Sequence, residues 1–375
     1  MAGRIREKRP GVWEVSVEVG RDPVTGRRRQ LSRTVRGGKR DAQQVLNRLL
    51  SESDAGAHAG TDASFRDVAL RWLRLGAGDL SPTTVRRYEG LLERHIYPAL
   101  GDRPAHKIRA TELDDLYHGL VNEVGLAPAT VRQVHATIRR ALSQAVKWGW
   151  IASNPAANTT PPRVKKPDIA PPSVDDVVRL IEAAHETNPA FARFLHLAVT
   201  TGARRGELCA LRWERVDFER ETLVIARSVI EVEGGLLEKD TKTHAIRRIA
   251  LDSRTLDVLA QQRGAIDELA AQVEVALAPT SYVFTHDPAG AVPWTPDYVT
   301  KNFQRLRSSL GLERVRLHDL RHFAATSLLA AGVPVRTVAG RLGHANAATT
   351  LGIYAHFVEA SDREAAGAIA ETIRV

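Results

Sequence analysis

Cysteine is almost absent from this chain of 375 residues: Cys209 stands alone, which rules out an internal disulfide and a cysteine-rich zinc site. Leu208 and Leu211 share its helical face, so the thiol reads as core packing. No apolar run approaches the ~18 residues that a membrane helix requires, and the N-terminal MAGRIREKRPG lacks a signal-peptide core. The expectation is therefore a soluble, cytoplasmic protein without membrane attachment. Internal repeats and low-complexity tracts are missing too. So is any acidic cluster suited to Mg²⁺, and neither a metal nor another cofactor is expected.

What the chain does have is unevenly spread charge. The formal net charge is +9. Residues 1–50 hold 13 Lys and Arg against 5 Asp and Glu, residues 61–155 hold 13 against 10, and residues 173–375 hold 24 against 26. A basic N-terminal module on a near-neutral C-terminal one is the electrostatic footprint of a DNA-binding arm.

A multidomain α+β organisation follows from length and patterning. In residues 1–55, Trp13, Val15, Val17 and Val19 alternate with polar residues as a half-buried strand. A turn at Asp22-Pro23-Val24-Thr25-Gly26 leads to a basic strand at 27–35, and Ala42, Val45, Leu46, Leu49 and Leu50 mark an amphipathic helix. The stretch 51–62 is a linker by composition. Residues 62–155 read as four helices. Phe65, Val68, Ala69, Trp72 and Leu73 stripe the first, and Ser81-Pro82 opens the second. Thr111 caps the third, and the fourth spans about 128–147 on Val131, Val134, Ile138 and Leu142. A proline-rich basic linker, 156–172, precedes a mainly helical domain at 173–375 with a small antiparallel sheet around 222–225. Residues 360–373 read as a final helix with Ala366, Ile369 and Ile373 on one side.

The chemistry-bearing residues lie in that last domain. His318 and Arg321 share a helix face, Gly332 and Pro334 break the chain, and a short helix ends at Leu342-Gly343-His344 with Gly at a C-cap position. Tyr354 follows. Upstream, Arg204 in TGARRGEL opens a helix, where backbone N–H groups and the macrodipole favour an anion. Lys242, in KDTKT before the alternating run Arg248-Ile249-Ala250-Leu251, reads as a lysine on a β-hairpin. Two guanidiniums, two imidazoles, an amine and a phenol point to a site for a tetrahedral anion beside a nucleophile. Among their neighbours, Arg205 and His322 are expected to face elsewhere, His244 to be solvated, His356 to be non-catalytic and Trp294 to be packing.

Arg204, Lys242, His318, Arg321, His344 and Tyr354, in TGxRxGEL, the lysine before Thr243, LHDLRH, LGH and IYAH, strongly resemble the tyrosine recombinase (phage integrase) family, of the three-domain, lambda-integrase-like type. The resemblance implies an arm-type DNA-binding domain (1–55, a three-stranded sheet plus helix) and a core-binding, SAM-like helical domain (62–155). It implies a catalytic domain at 173–375. It further implies a site-specific recombinase, working without metal or ATP through a 3′-phosphotyrosine link, with Tyr354 as nucleophile and Glu207 orienting arginine. Expected partners are core and arm attachment sites on double-stranded DNA, further copies in a homotetramer, an excisionase and a host DNA-bending protein. The setting would be the nucleoid of a bacterial host. Arg27, Arg28, Arg29 and Arg33 are the arm candidates for DNA contact; Arg86, Arg87, Arg132, Arg139 and Arg140 are the helical ones. Alternatives are a Xer-like resolution recombinase, which ordinarily lacks the basic arm, a type IB topoisomerase, and an inactive DNA-binding regulator. Attachment sequences, phage or conjugative origin, directionality, accessory needs and cis or trans docking of the last helix are not legible.

Overall fold

The computed structural model describes residues 3–22, 26–54, 61–76, 78, 80–164, 171–241 and 246–343. The chain divides into two compact units, Met1–Lys166 and Pro167–Val375.

The first unit opens with an antiparallel meander of β1 (Gly3–Arg9), β2 (Val12–Arg21) and β3 (Arg28–Arg36). β1 has only Ile5 as an inward apolar residue, so alternation alone locates the two later strands and misses it. Ile5 pairs with Val15 and Gly3 with Val17. Val15 and Val17 are fully buried beneath Ala42, Leu46 and Leu49 of α1 (Lys39–Asp54). The helix continues through the first residues of the stretch read as linker, because Leu49 and Leu50 keep its apolar face against the sheet.

A second core in this unit is helical: α2 (Phe65–Gly76), α3 (Pro82–Leu91), α4 (Tyr97–Leu100), α5 (Ala110–Asn122) and α6 (Pro128–Lys147). Between α3 and α4, residues Leu92–Ile96 form a π turn. Pro98 has no N–H to give and its ring crowds the preceding turn, so the helix widens there instead of continuing evenly. Helix α5 begins at Ala110, not after Thr111; Arg109 is its N-cap and donates its N–H to Glu112 at 3.0 Å. Phe65, Leu113, Tyr117, Ile138 and Leu142 fill the interior.

The second unit starts at α7 (Val174–Thr187), whose Asp176 N–H is accepted by Ser173 Oγ at 3.0 Å. Helices α8 (Pro189–Thr201) and α9 (Arg205–Cys209) follow. Next come β4 (Val216–Asp217), β5 (Thr222–Ile225), β6 (Arg227–Val232), β7 (Gly235–Asp240) and β8 (Arg247–Ala250). The strands make one sheet in the order β4-β5-β8 and a separate β6-β7 ribbon. Strands β7 and β8, which flank Lys242 in sequence, are therefore not hairpin partners, as the sequence reading had them. Helices α10 (Ser253–Ala271), α11 (Pro296–Ser309), α12 (Asp319–Ala330) and α13 (Val335–Leu342) complete the described fold. No helix among the described residues is long and apolar enough to cross a membrane.

Trp294 packs as expected: it is 2 % exposed, within an aromatic cluster of Phe191, Phe194 and Phe284. Cys209 is fully buried in the same core. Phe194, with its ring 5.0 Å from that of Phe284, is fully buried in this cluster. Phe194→Ala should lower stability by about 3–5 kcal/mol in denaturant unfolding. A loss below ~1 kcal/mol would contradict this packing account.

Candidate functional site

The site is built where α8 gives way to α9. Helix α8 stops at Gly202, whose φ of 60° is left-handed and whose N–H is accepted by Ala198 O at 3.1 Å. A side chain at Gly202 would be strained by that φ and would collide with Leu342 of α13. Glycine thus lets α13 close over the turn. Two residues on, Arg204 is the N-cap of α9. Its N–H goes to Glu207 Oε2 at 2.8 Å and its Nη1 to Glu207 Oε1 at 2.8 Å. Helix α9 is only five residues long and its cap N–H is given to a carboxylate. An anion here would therefore meet the arginine side chain, not the helix dipole expected from sequence.

Glu207 is 1 % exposed and has a second cation. Arg247, at the start of β8, donates from Nη2 to Glu207 Oε2 at 2.5 Å and from Nε to Arg341 O at 3.0 Å. Burial alone would raise the Glu207 carboxyl, but the hydrogen bond and charge of Arg247, then the bond and charge of Arg204, outweigh it and hold it below the usual carboxylate range. The carboxylate stays ionised, as an orienting group must.

Arg321, on α12, is 4 % exposed and donates from Nη1 to Gly202 O at 2.6 Å. That bond ties its guanidinium to the turn that carries Arg204. His318 is the N-cap of α12. Its pKa is pushed down to about 4, first by packing around the ring, then by His322, Arg321 and Arg204. The residue is nevertheless exposed, and water on its open edge tempers the shift. Downward is the direction that both the packing and the cations require. Arg321 and Arg204 thus both lie within electrostatic reach of His318.

One of the two neighbours differs from expectation. His322 does not face away: it is 8 % exposed, with its ring edge-on to His318 at 5.0 Å. Residues four apart on a helix are neighbours, and this separation places His322 beside His318. Arg205 is exposed and donates to Thr300 Oγ1. Sequence reading missed Arg247 and Arg341. The signal for Arg247 was the strand phase: Arg247 and Ile249 are buried while Arg248 and Ala250 are exposed. Lys242, His244, His344, Tyr354, His356 and the expected last helix lie outside the described residues.

Among the DNA-contact candidates, Arg86, Arg87, Arg132, Arg139 and Arg140 are all exposed. Arg132, Arg139 and Arg140 line one groove of about 820 Å³ along α6, with Lys147 and Tyr88. The guanidiniums of Arg87 and Arg140 lie over the Tyr88 ring, 5.7 and 5.6 Å from its centre. Arg27, Arg28 and Arg33 are exposed and Arg29 is half-buried. Arg33 pairs with Val15, so it belongs to the helix-covered side of the sheet. The uncovered face carries Arg4, Arg6 and Arg36, which were not singled out.

A sequence model described as the phage integrase family matches residues 173–360, half of the chain, and one described as the phage integrase central domain matches residues 65–161. The chain belongs to the phage integrase family. It is a tyrosine recombinase, an enzyme that cleaves and rejoins DNA. Among curated relatives of this phage integrase family member, the ICEBs1 integrase of Bacillus subtilis (strain 168) is 24% identical, covering 96% of this chain and 98% of its own. An integrase of Saccharopolyspora erythraea is 27% identical over 89% of this chain and 88% of its own. The fold is similar to that of the Tn1549 transposon integrase in complex with transposon right end DNA. The TM-score is 0.68 at 18% identity, covering 81% of this chain and all of that one. It is also similar to a lambda integrase tetramer bound to a Holliday junction, with a TM-score of 0.59 at 17% identity over 91% of this chain and 95% of that one.

The depressed His318 pKa has a signed consequence. Between about 4 and the ordinary 6.5 the unfolded chain binds the proton and the folded site does not. Stability from this residue is full above pH 6.5 and declines as pH falls toward 4. In the free protein, imidazole NMR should show His318 neutral at pH 6; a midpoint at or above 6.5 would contradict the geometry.

Proposed function

We propose that this recombinase integrates and excises a phage or other integrative element at specific attachment sites, through a 3′-phosphotyrosine intermediate on Tyr354. The observation that carries the reading is the convergence of Arg204 and Arg321, joined through the Gly202 turn and backed by an ionised Glu207. Attack on a phosphodiester builds negative charge on the non-bridging oxygens. Paired guanidinium hydrogen bonds stabilise that charge, and losing one such preorganised donor typically costs about 3 kcal/mol of barrier. His318, neutral at working pH, donates or accepts a proton beside them. His344 adds a further donor, and Lys242 protonates the leaving 5′-oxygen. Tyr354 is the nucleophile; an ordinary phenol with a pKa of ~10 needs such cationic neighbours to attack near neutrality.

The two cores of the first unit are assigned as an arm-binding domain and a core-binding domain, the segment 156–172 as a linker, and 173–375 as the catalytic domain. The groove of Arg132, Arg139 and Arg140 would take phosphates without reading sequence. The assembly would be a homotetramer on two duplexes in the bacterial cytoplasm, with an excisionase and a host bending protein as accessory partners. The basic sheet-and-helix module and the likeness to the ICEBs1 integrase favour integration over chromosome resolution.

The test is a nicked suicide duplex taken from the DNA flanking the gene. The unaltered chain should form a denaturation-resistant adduct, and Tyr354→Phe should bind the same duplex with none. An adduct from Tyr354→Phe would remove the nucleophile assignment.

A further inference from the structure

Arg247 is a guanidinium buried to 7 % exposure at the first position of a four-residue strand, where nothing about the sheet requires a charge. Burying an ion is costly unless it is paired, and this one is paired to the carboxylate that also holds Arg204. Glu207 is therefore shared by two arginines, with Oε2 serving Arg247 and the Arg204 N–H and Oε1 serving the Arg204 side chain. The other side of Arg247 grips α13. Its Nε donates to Arg341 O, and a Cβ on Gly343 would lie 3.0 Å from its Nη1 and 3.2 Å from its Cδ. Gly343 has a φ of 71°, so glycine suits both the turn and the guanidinium beneath it. The tie is reciprocal: Arg341 donates from Nη1 to Ala250 O of β8 at 3.1 Å and from Nη2 to Thr200 O of α8 at 2.9 Å.

We propose that Arg247 is a positioning residue for DNA cleavage: it occupies the Glu207 carboxylate so that Arg204 keeps donors for the scissile phosphate, and it fixes the Gly343 turn against β8. The proposal rests on the recombinase reading and adds to it a residue that never touches DNA. The physical reason is competition. A buried carboxylate with a single cationic neighbour draws both ends of that guanidinium fork onto itself. A second arginine saturates it. The planar fork of Arg247 also fixes the plane of the carboxylate, which a lysine cannot do with a point charge. Two arginines, 204 and 247, share this acidic group, and only Arg204 of the pair retains appreciable exposure, 25 % against 6 %. Arg204 is thus the one of the two that a ligand can reach.

The experiment compares the full-length chain with Arg247→Met, Arg247→Lys, Glu207→Gln and the Arg247→Met/Glu207→Gln double variant on the nicked flanking duplex. Thermal melting, duplex affinity and the single-turnover rate of adduct formation are measured for each. Displacing a reacting group by about 1 Å costs ~100-fold in rate, and that is the loss expected for Arg247→Met, with ~10-fold for Arg247→Lys, at unchanged duplex affinity. The decisive readout is the double variant. Removing the carboxylate's charge releases Arg204, so the double variant should cleave no slower than Arg247→Met alone. Independent packing roles would instead make the two losses multiply. Where Arg247→Met does not melt like the unaltered chain, the same cycle is read on Arg247→Lys with an Arg247→Lys/Glu207→Gln double variant. Multiplying losses, or unaltered rates in both Arg247 variants, would overturn the proposal. No adduct from the unaltered chain would instead fell the recombinase reading, and the role of Arg247 with it.

Discussion

One buried carboxylate organises the site. Glu207 sits at the start of a helix too short to fold alone, and it is ionised because two guanidiniums outweigh the cost of its burial. Through it, the N-terminus of α9, the first residue of β8 and the end of α13 become one rigid junction. Arg321 joins from α12 by bonding the carbonyl of Gly202. The arrangement sets positive charge around a turn that can admit no side chain at Gly202. Preorganised charge of this kind needs no rearrangement when negative charge develops on a phosphate.

Much of this was legible. Arg204, His318 and Arg321 carry a motif whose order survives in the sequence, and the structure brings both arginines within electrostatic reach of His318. Glu207 was legible as a partner of Arg204 because it lies three residues after it. Arg247 was not, because its partners are 40 and 94 residues away and no local spacing relates them. His322 was misjudged by proximity in sequence: the helical period puts it beside His318, not opposite. The pairing of β7 with β6 and of β8 with β5 was hidden as well, since two short basic runs around a lysine look like the arms of one hairpin.

In the N-terminal unit, charge counting found the module but not its faces. Strand register, set by the burial of Val15 and Val17, puts Arg33 on the covered side and Arg4, Arg6 and Arg36 on the open one. A charged strand edge tells nothing of register until its partners are known. The family resemblance implied a third strand, but the residue pattern did not locate it, because charge dominates its composition and only Ile5 marks its inner face. Helical periodicity fared better: the stripe on α6 placed its core, and three of the arginines that alternate with that stripe line a common groove.

The central claim is that Arg204 and Arg321 hold one phosphate between them while Glu207 and Arg247 hold Arg204. A crystal structure of the full chain with nicked DNA and orthovanadate at the cleavage position tests it most directly. The account predicts both guanidiniums ~3 Å from the equatorial vanadate oxygens, with the bonds from Arg247 to Glu207 intact. Vanadate bound away from Arg321, or Arg204 folded wholly onto Glu207 with no contact to the vanadate, would contradict it.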